Sequence, residues 1–320
     1  MKDQPHHDQP HGDHGPPGHR HPHGPDRAHD PEALPRLGFV GAGRVALTLG
    51  PAFAAAGWPV VAVASRDPER RMRFQSLVPG AHGFAEPAGI LDDVDIAFLT
   101  VPDDAIAPVA GSMRLYSGQG IVHTSGLLPA AVLSPAMAAG TLAGSFHPLV
   151  AFAEPDTARA ALRGATVAIE GDEALVSVLA ELAEAVGAQP VRLPSGGKAA
   201  YHAAAVLAAG GFVALLDAIA EVGRGAGLDE AGALAVYGPL VRQSLANAER
   251  LGIRAALTGP IVRGDRGTLR AHMDALRALA PGALGLYAAA ARREIALAEE
   301  RGDLPAADAE ALRALLTGSA

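Results

Sequence analysis

The sequence predicts an α/β chain, with a doubly wound parallel sheet first and an all-α domain after it. Three observations predict this. Short apolar runs of strand length alternate with helix-length segments from Leu37 to about Leu193, the pattern of a parallel sheet covered by helices on both faces. The first strand-to-helix junction carries Gly41-Ala42-Gly43-Arg44-Val45-Ala46, a GxGxxA loop. Beyond Pro194 the strand pattern stops and Ala-rich helical stretches take over.

Composition sets the outer limits. The 320 residues suffice for two domains of ordinary size. With 49% hydrophobic and 19% charged residues the chain is globular, and with only 4% aromatic residues its core is expected to be mostly Ala, Leu and Val. The absence of cysteine excludes disulfides, thiolate nucleophiles and Cys-ligated metal sites. A net charge of −8 argues against a nucleic-acid partner. No apolar stretch of about 18 residues is free of both charge and Gly/Pro punctuation, so no membrane span is expected. The N-terminus lacks an apolar signal core. A cytoplasmic location is the expectation.

Taken in order, residues 1–33 form a His-rich segment with almost no large apolar residues. It holds eight of the 13 histidines: His6, His7, His11, His14, His19, His21, His23 and His29. It is expected to be a disordered tail, with adventitious metal binding by its imidazoles as its physical possibility and no fixed metal site. Residues 34–194 then read as the sheet domain. LGFVG is its first strand, and AGRVALTLGPAFAAAG is a helix ending near Gly57. PVVAVASR and VDIAFLTVP (94–102) are further strands, and GQGIVHTSG (118–126) ends a fourth in a polar loop. TLAGSF (141–146) and GATVAIEG (164–171) are two more candidates. Residues 195–320 read as the helical domain: one long helix within 196–227, then stretches at about 229–251, 267–280, 282–301 and 305–317.

The glycine loop has the context its chemistry needs. Gly41 permits a tight turn, Gly43 lets backbone approach a pyrophosphate, and Ala46 permits close helix–sheet packing. The N–H groups of Ala42, Gly43, Arg44 and Val45 then face an anion at a helix N-terminus. This is the Rossmann arrangement for a dinucleotide. At the end of the second strand an acidic residue would bind the ribose 2′-OH of NAD; Ser65-Arg66 stands there instead. A hydroxyl and a guanidinium suit a 2′-phosphate, so NADP(H) is the expected cofactor, with Arg44 a second positive contact and Asp67 a complication. Val101-Pro102 closes a strand at the same carboxyl edge and is expected beside the cofactor; Asp103 and Asp104 read as helix N-caps.

Candidate chemistry lies further along. His123-Thr124-Ser125-Gly126 ends a strand at that edge, so His123 and Ser125 either touch substrate or make a polar turn with His123 bonded to backbone. Lys198, Tyr201 and His202 share one helix face among Ala, Val and Leu. Apolar surroundings lower a lysine's pKa and make Lys198, or His202, a usable proton donor to a carbonyl oxygen; the other reading is an exposed first turn and a satisfied histidine. In the loop Leu257–Asp265, Arg263 suits a substrate carboxylate and Thr258 a cap or a substrate contact, or the loop is a turn holding an Arg263–Asp265 pair.

The GxGxxA loop, Val101-Pro102-Asp103, HTSG, SFHPL (145–149), KAAYHAAAV and LTGPIVRGD together resemble a family of Rossmann-like proteins with a helical C-terminal domain of unknown function. The family is related to the 6-phosphogluconate dehydrogenase-like superfamily. Its relatives include β-hydroxyacid dehydrogenases, ketopantoate reductase and pyrroline-5-carboxylate reductase. The resemblance implies an NADP-dependent oxidoreductase acting on a small-molecule substrate in a cleft between two domains, and a homodimer formed through the helical domain. Lys198 matches the lysine of β-hydroxyacid dehydrogenases, whereas His202 stands where they carry Asn. SFHP is similar to the His-Pro element of prephenate dehydrogenases, which implies that His147 polarises the reacting oxygen. The expected activity is reduction of a carboxylate-bearing carbonyl or imine, a 2-oxo acid such as ketopantoate among them. The alternative is a non-catalytic NADP-binding sensor or scaffold.

Overall fold

A computed structural model describes residues 33–138, 140–194 and 196–317. The expectations for the His-rich segment lie almost wholly outside them. The chain divides into two compact units, the first ending at Lys198 and the second beginning at Ala199. Lys198, placed in the helical domain by the sequence pattern, thus groups with the sheet.

The first unit holds eight strands: β1 (Leu37–Val40), β2 (Val60–Ala64), β3 (His82–Phe84), β4 (Ile96–Leu99), β5 (Gly120–His123), β6 (Leu142–Pro148), β7 (Thr166–Gly171) and β8 (Gln189–Arg192). They form one sheet in the order β3-β2-β1-β4-β5-β6-β7-β8. The order reverses beside β1, as in doubly wound folds. One pairing corrects the expectation of a parallel sheet: β6 and β7 run antiparallel. The sequence missed β3 and β8, the two edge strands, which lack the apolar runs of the centre. β6 runs on through His147 and Pro148, past the expected end at Phe146.

Around the sheet lie α1 (Arg44–Ala55), α2 (Pro68–Leu77), α3 (Asp103–Ser112), α4 (Pro155–Ala161) and α5 (Glu173–Ala185). β1 and β4 are buried at every position, which is why they read as continuous apolar runs rather than alternating ones. Phe39, Phe53, Phe74, Phe98 and Phe146 are fully buried together. Phe39 stacks on Phe98 at 5.4 Å between ring centroids, and Phe146 meets Phe98 edge-on at 5.9 Å. Ala, Leu and Val still make up most of this core, as composition predicts, and the few aromatics are concentrated in one layer of it. Gly50 in α1 makes room for them: a Cβ there would lie 2.5 Å from Cζ of Phe74.

The second unit is helical. α6 (Lys198–Val206) leads through a π-helical turn (Leu207–Gly211) into α7 (Phe212–Gly225), followed by α8 (Glu230–Leu251), α9 (Ile253–Ala256), α10 (Arg266–Leu279), α11 (Leu284–Arg301) and α12 (Ala306–Thr317). Asp229 caps α8 through Gly232 N–H, and Asp265 caps α10 through Thr268 N–H. Its core is the one composition predicts: Ala288, Ala291, Ala298 and Ala309 pack with Leu269, Ile295 and Leu312. The run from Lys198 to Gly225 is one helix long and apolar enough, by length and composition, to cross a membrane. That revises the expectation from punctuation: Gly210 and Gly211 interrupt the composition but not the helix. A single such helix is weak evidence of a span.

Candidate active site

The glycine loop sits where β1 hands over to α1. Gly41 has φ +98°, and a Cβ on it would lie 2.6 Å from the Thr100 carbonyl oxygen, so only glycine fits. The Thr100 hydroxyl lies 2.9 Å from the Gly41 carbonyl oxygen and 3.1 Å from that of Val40, tying the loop to the end of β4. Gly43 is the N-cap of α1 and makes no side-chain cap. A Cβ on Gly43 would meet nothing within 4 Å. The first N–H groups of α1 therefore open onto a free space beside bare backbone, which fits a pyrophosphate. Ala42 is buried beneath the loop, Val45 half-buried, and Arg44 exposed, its guanidinium 3.5 Å from the Ala153 carbonyl oxygen.

Beyond β2, the Ser65 hydroxyl accepts from Asp67 N–H and the Ser65 carbonyl oxygen accepts from Arg71. Asp67 is the N-cap of α2, accepting from Glu69 and Arg70 N–H at 3.0 and 3.2 Å. Its carboxylate is committed to that cap. Arg66 is exposed. Pro102, not Asp103 or Asp104, is the N-cap of α3, so both aspartates lie in its first turn. There they favour the helix through its dipole rather than as caps.

A polar row crosses the sheet at its carboxyl edge. Register pairs His123 of β5 with Ser145 of β6, and Ser145 with Glu170 of β7. Directly paired residues project to one face of a sheet, so these three side chains share a face, and His147 follows Ser145 onto it by alternation. His147 is half-buried.

His123 is fully buried and committed at both ring nitrogens. Nδ1 accepts from Ser125 N–H at 3.2 Å, and Nε2 stands 3.2 Å from the Pro129 carbonyl oxygen. Nε2 therefore carries the hydrogen. Burial, and next the Lys198 ammonium, hold its pKa down to about 4. Ser125 is committed too. Its hydroxyl donates to Asp103 at 2.7 Å and accepts from Leu127 and Leu128 N–H. Of the two alternatives for HTSG, the geometry is that of the polar turn.

Lys198 closes the row. It is 6% exposed, so it is no solvated first turn. Its Nζ donates to Ser145 Oγ at 2.9 Å and to the Ser125 carbonyl oxygen at 3.1 Å. Glu170 Oε2 lies 3.8 Å away, beyond hydrogen-bond length. Burial lowers the Lys198 pKa, opposed by the charges of Glu170 and then Asp103. Asp103, Ser145 and Glu170 are thus brought to Lys198 without having been singled out for that role. Ser145 had a signal, standing two residues before His147 on one strand. Glu170 had a weaker one, as a lone carboxylate ending an apolar strand.

The remaining candidates belong to the second unit. Tyr201 is half-buried, and burial pushes its phenol up to about 12. His202 is half-buried beside it on α6. Arg263 and Thr258 are exposed in the loop between α9 and α10. Asp265 accepts from Thr268 N–H and hydroxyl, which holds its carboxyl below the usual carboxylate range, with the Arg263 charge a smaller cause.

Residues 23–148 match the family model of a Rossmann-like domain, and residues 165–294 match the Domain of unknown function DUF2520. No curated protein matches the sequence. Among solved structures, protein TM1727 from Thermotoga maritima is similar at 26% identity and TM-score 0.63, over 83% of this chain and 99% of that one. BF3122 from Bacteroides fragilis, described provisionally as an NADP oxidoreductase, is similar at 21% identity and TM-score 0.66, over 83% of this chain and 97% of that one. A reductive aminase from Aspergillus terreus, solved with NADPH and ethyl-5-oxohexanoate, is similar at 16% identity and TM-score 0.55, over 90% of this chain and 94% of that one. At the two lower identities the likeness is one of fold.

Proposed function

We propose that this chain, a Rossmann-like domain followed by a DUF2520 domain, is an NADP(H)-dependent reductase of a small carboxylate-bearing carbonyl or imine. The observation that carries the reading is Lys198. A buried amine, its proton affinity lowered, stands at the carboxyl edge of a dinucleotide-type sheet, where such folds bind ligands. The likeness in fold to an NADPH-bound aminase and a provisional NADP oxidoreductase supports the same class.

The residues present fit the cofactor. Ala42, Gly43, Arg44 and Val45 offer backbone N–H groups to its pyrophosphate, while Gly41, whose own N–H is bonded to the Ala64 carbonyl oxygen at 2.8 Å, makes the turn that presents them; Ser65 and Arg66 suit its 2′-phosphate, and Val101 and Pro102 line the next strand end. NADPH, when bound, supplies hydride to the substrate carbon. The protein's part is the proton. Lys198 gives it to the substrate's oxygen or nitrogen, with His202, one helical turn on, the second candidate. His147 polarises the reacting oxygen. Arg263, an exposed guanidinium, suits the carboxylate. Tyr201 and Thr258 are the further substrate contacts of this reading. The exposed apolar residues of the helical unit support a homodimer as the working form.

The test is binding of NADPH and NADH, then NADPH oxidation against small 2-oxo acids and cyclic imines, for wild type and Lys198→Met. The expected result is tighter NADPH binding, turnover on at least one substrate, and a fall in kcat of about 10²-fold or more in the variant with NADPH binding retained. Undiminished turnover in Lys198→Met sinks the mechanism. One observation favours a second reading, a non-catalytic NADP sensor: the Lys198 amine already has two protein partners. NADPH binding with no turnover on any substrate is its signature.

A further inference from the structure

The chain has 24 arginines and only two lysines, Lys2 and Lys198. Lys2 lies outside the described residues. Everywhere else in the described chain a positive charge is arginine, which never loses its proton, so the one lysine marks a place where a separable proton matters. A buried amine of that kind needs something to keep it charged until the proton is used.

The groups facing Lys198 come from four elements: Asp103 from α3, His123 from β5, Ser145 from β6, and Glu170 from β7, with His147 two residues beyond Ser145 and acting on His123. They are not equivalent. Asp103 spends an oxygen on the Ser125 hydroxyl at 2.7 Å. His123 has both nitrogens in backbone bonds and is held neutral. Ser145 accepts from the amine but carries no charge. Glu170 differs: its Oε2 is buried without a hydrogen-bond partner and lies 3.8 Å from Nζ. A buried carboxylate oxygen with no donor is costly, and the cost is offset only by a nearby cation. The antiparallel register sets Glu170 directly opposite Ser145, the amine's hydroxyl partner.

We propose that Glu170 is a positioning residue that keeps the buried Lys198 amine protonated and held against Ser145, ready to deliver its proton to the reduced substrate. This rests on the reading of Lys198 as proton donor. Glu170 touches neither substrate nor cofactor; it acts through Lys198. After the amine gives up its proton, the bare carboxylate favours its return from solvent.

The two-lysine composition makes the test direct. The full chain is labelled with lysine carrying 13C at Cε, and pH titration follows two signals, Lys2 serving as an internal standard. In Glu170→Gln the Lys198 midpoint is expected to fall by a pH unit or more, about tenfold in proton affinity, with Lys2 unmoved. Glu170→Asp keeps the charge and is expected to fall between the two, which also serves if the glutamine variant fails to fold. The alkaline limb of kcat moves with the midpoint in each variant. An unchanged Lys198 midpoint in either folded variant overturns the proposal. A lowered midpoint upholds it even if no substrate turns over, in which case the proton-donor reading alone fails.

Discussion

His123 shows how one side chain can hold a strand end by staying uncharged. Its folded pKa of about 4 lies below the ordinary imidazole value, so the unfolded chain takes up its proton first as pH falls. The stability it contributes is complete above about pH 6.5 and is lost as pH falls toward about 4. Between pH 7.5 and pH 5 this is worth roughly 2 kcal/mol. In urea unfolding, the wild type is expected to lose that much more stability across the interval than His123→Gln, whose amide keeps a donor near Nε2 and cannot ionise. Equal losses in the two proteins would refute the brace. At this scale the sequence was partly legible. Lys198 stood out because an amine in an Ala-rich helix has few ordinary uses. The row beside it did not stand out, because its pairing depends on register. Asp67 and Asp265 likewise read as ligand-facing or paired charges and turned out to cap helices, a role set by backbone geometry a residue or two away.

Among the elements, α1 carries a tight packing constraint against an aromatic ring. Gly50 faces the Phe74 ring end-on, and a methyl group at 2.5 Å from Cζ forces the ring or the helix to move. Gly50→Ala gains helix propensity, but overpacking is expected to outweigh it, for a net loss of about 1–3 kcal/mol. Thermal unfolding reads the difference; a more stable variant would show that the aromatic layer can shift. Central strands were legible because they are buried on both faces and read as apolar runs. The edge strands β3 and β8 were not, since HGF and QPVR owe their strand geometry to neighbours rather than to their own residues. The direction of β7 was equally hidden, because a strand's sequence does not state which way its partner runs. The long helix was legible across Gly210 and Gly211, yet not its π-helical turn, which takes up one residue more than an α-turn.

On the scale of the whole molecule, the helical unit leaves much apolar surface uncovered. Leu207 is 72% exposed, Val213 63%, Leu245 61% and Leu240 58%. The homodimer proposed above would cover this area. The proposed homodimer predicts a two-chain mass by sedimentation, and the double variant Leu207→Glu, Val213→Glu is expected to sediment as a monomer with the sheet's spectrum intact. A wild type that is monomeric at micromolar concentration counts against it. The scarcity of lysine has a different consequence for the chain as a whole. Most covalent tagging in a cell, from acylation and glycation to conjugation of small proteins, begins at an amine. Among side chains such chemistry finds only Lys2 and Lys198, and at 6% exposure Lys198 is shielded from bulky reagents, though not from a proton or a small substrate. A bulky mark at Lys198 therefore records that the molecule once opened wider than its chemistry requires, and a single atom keeps that record.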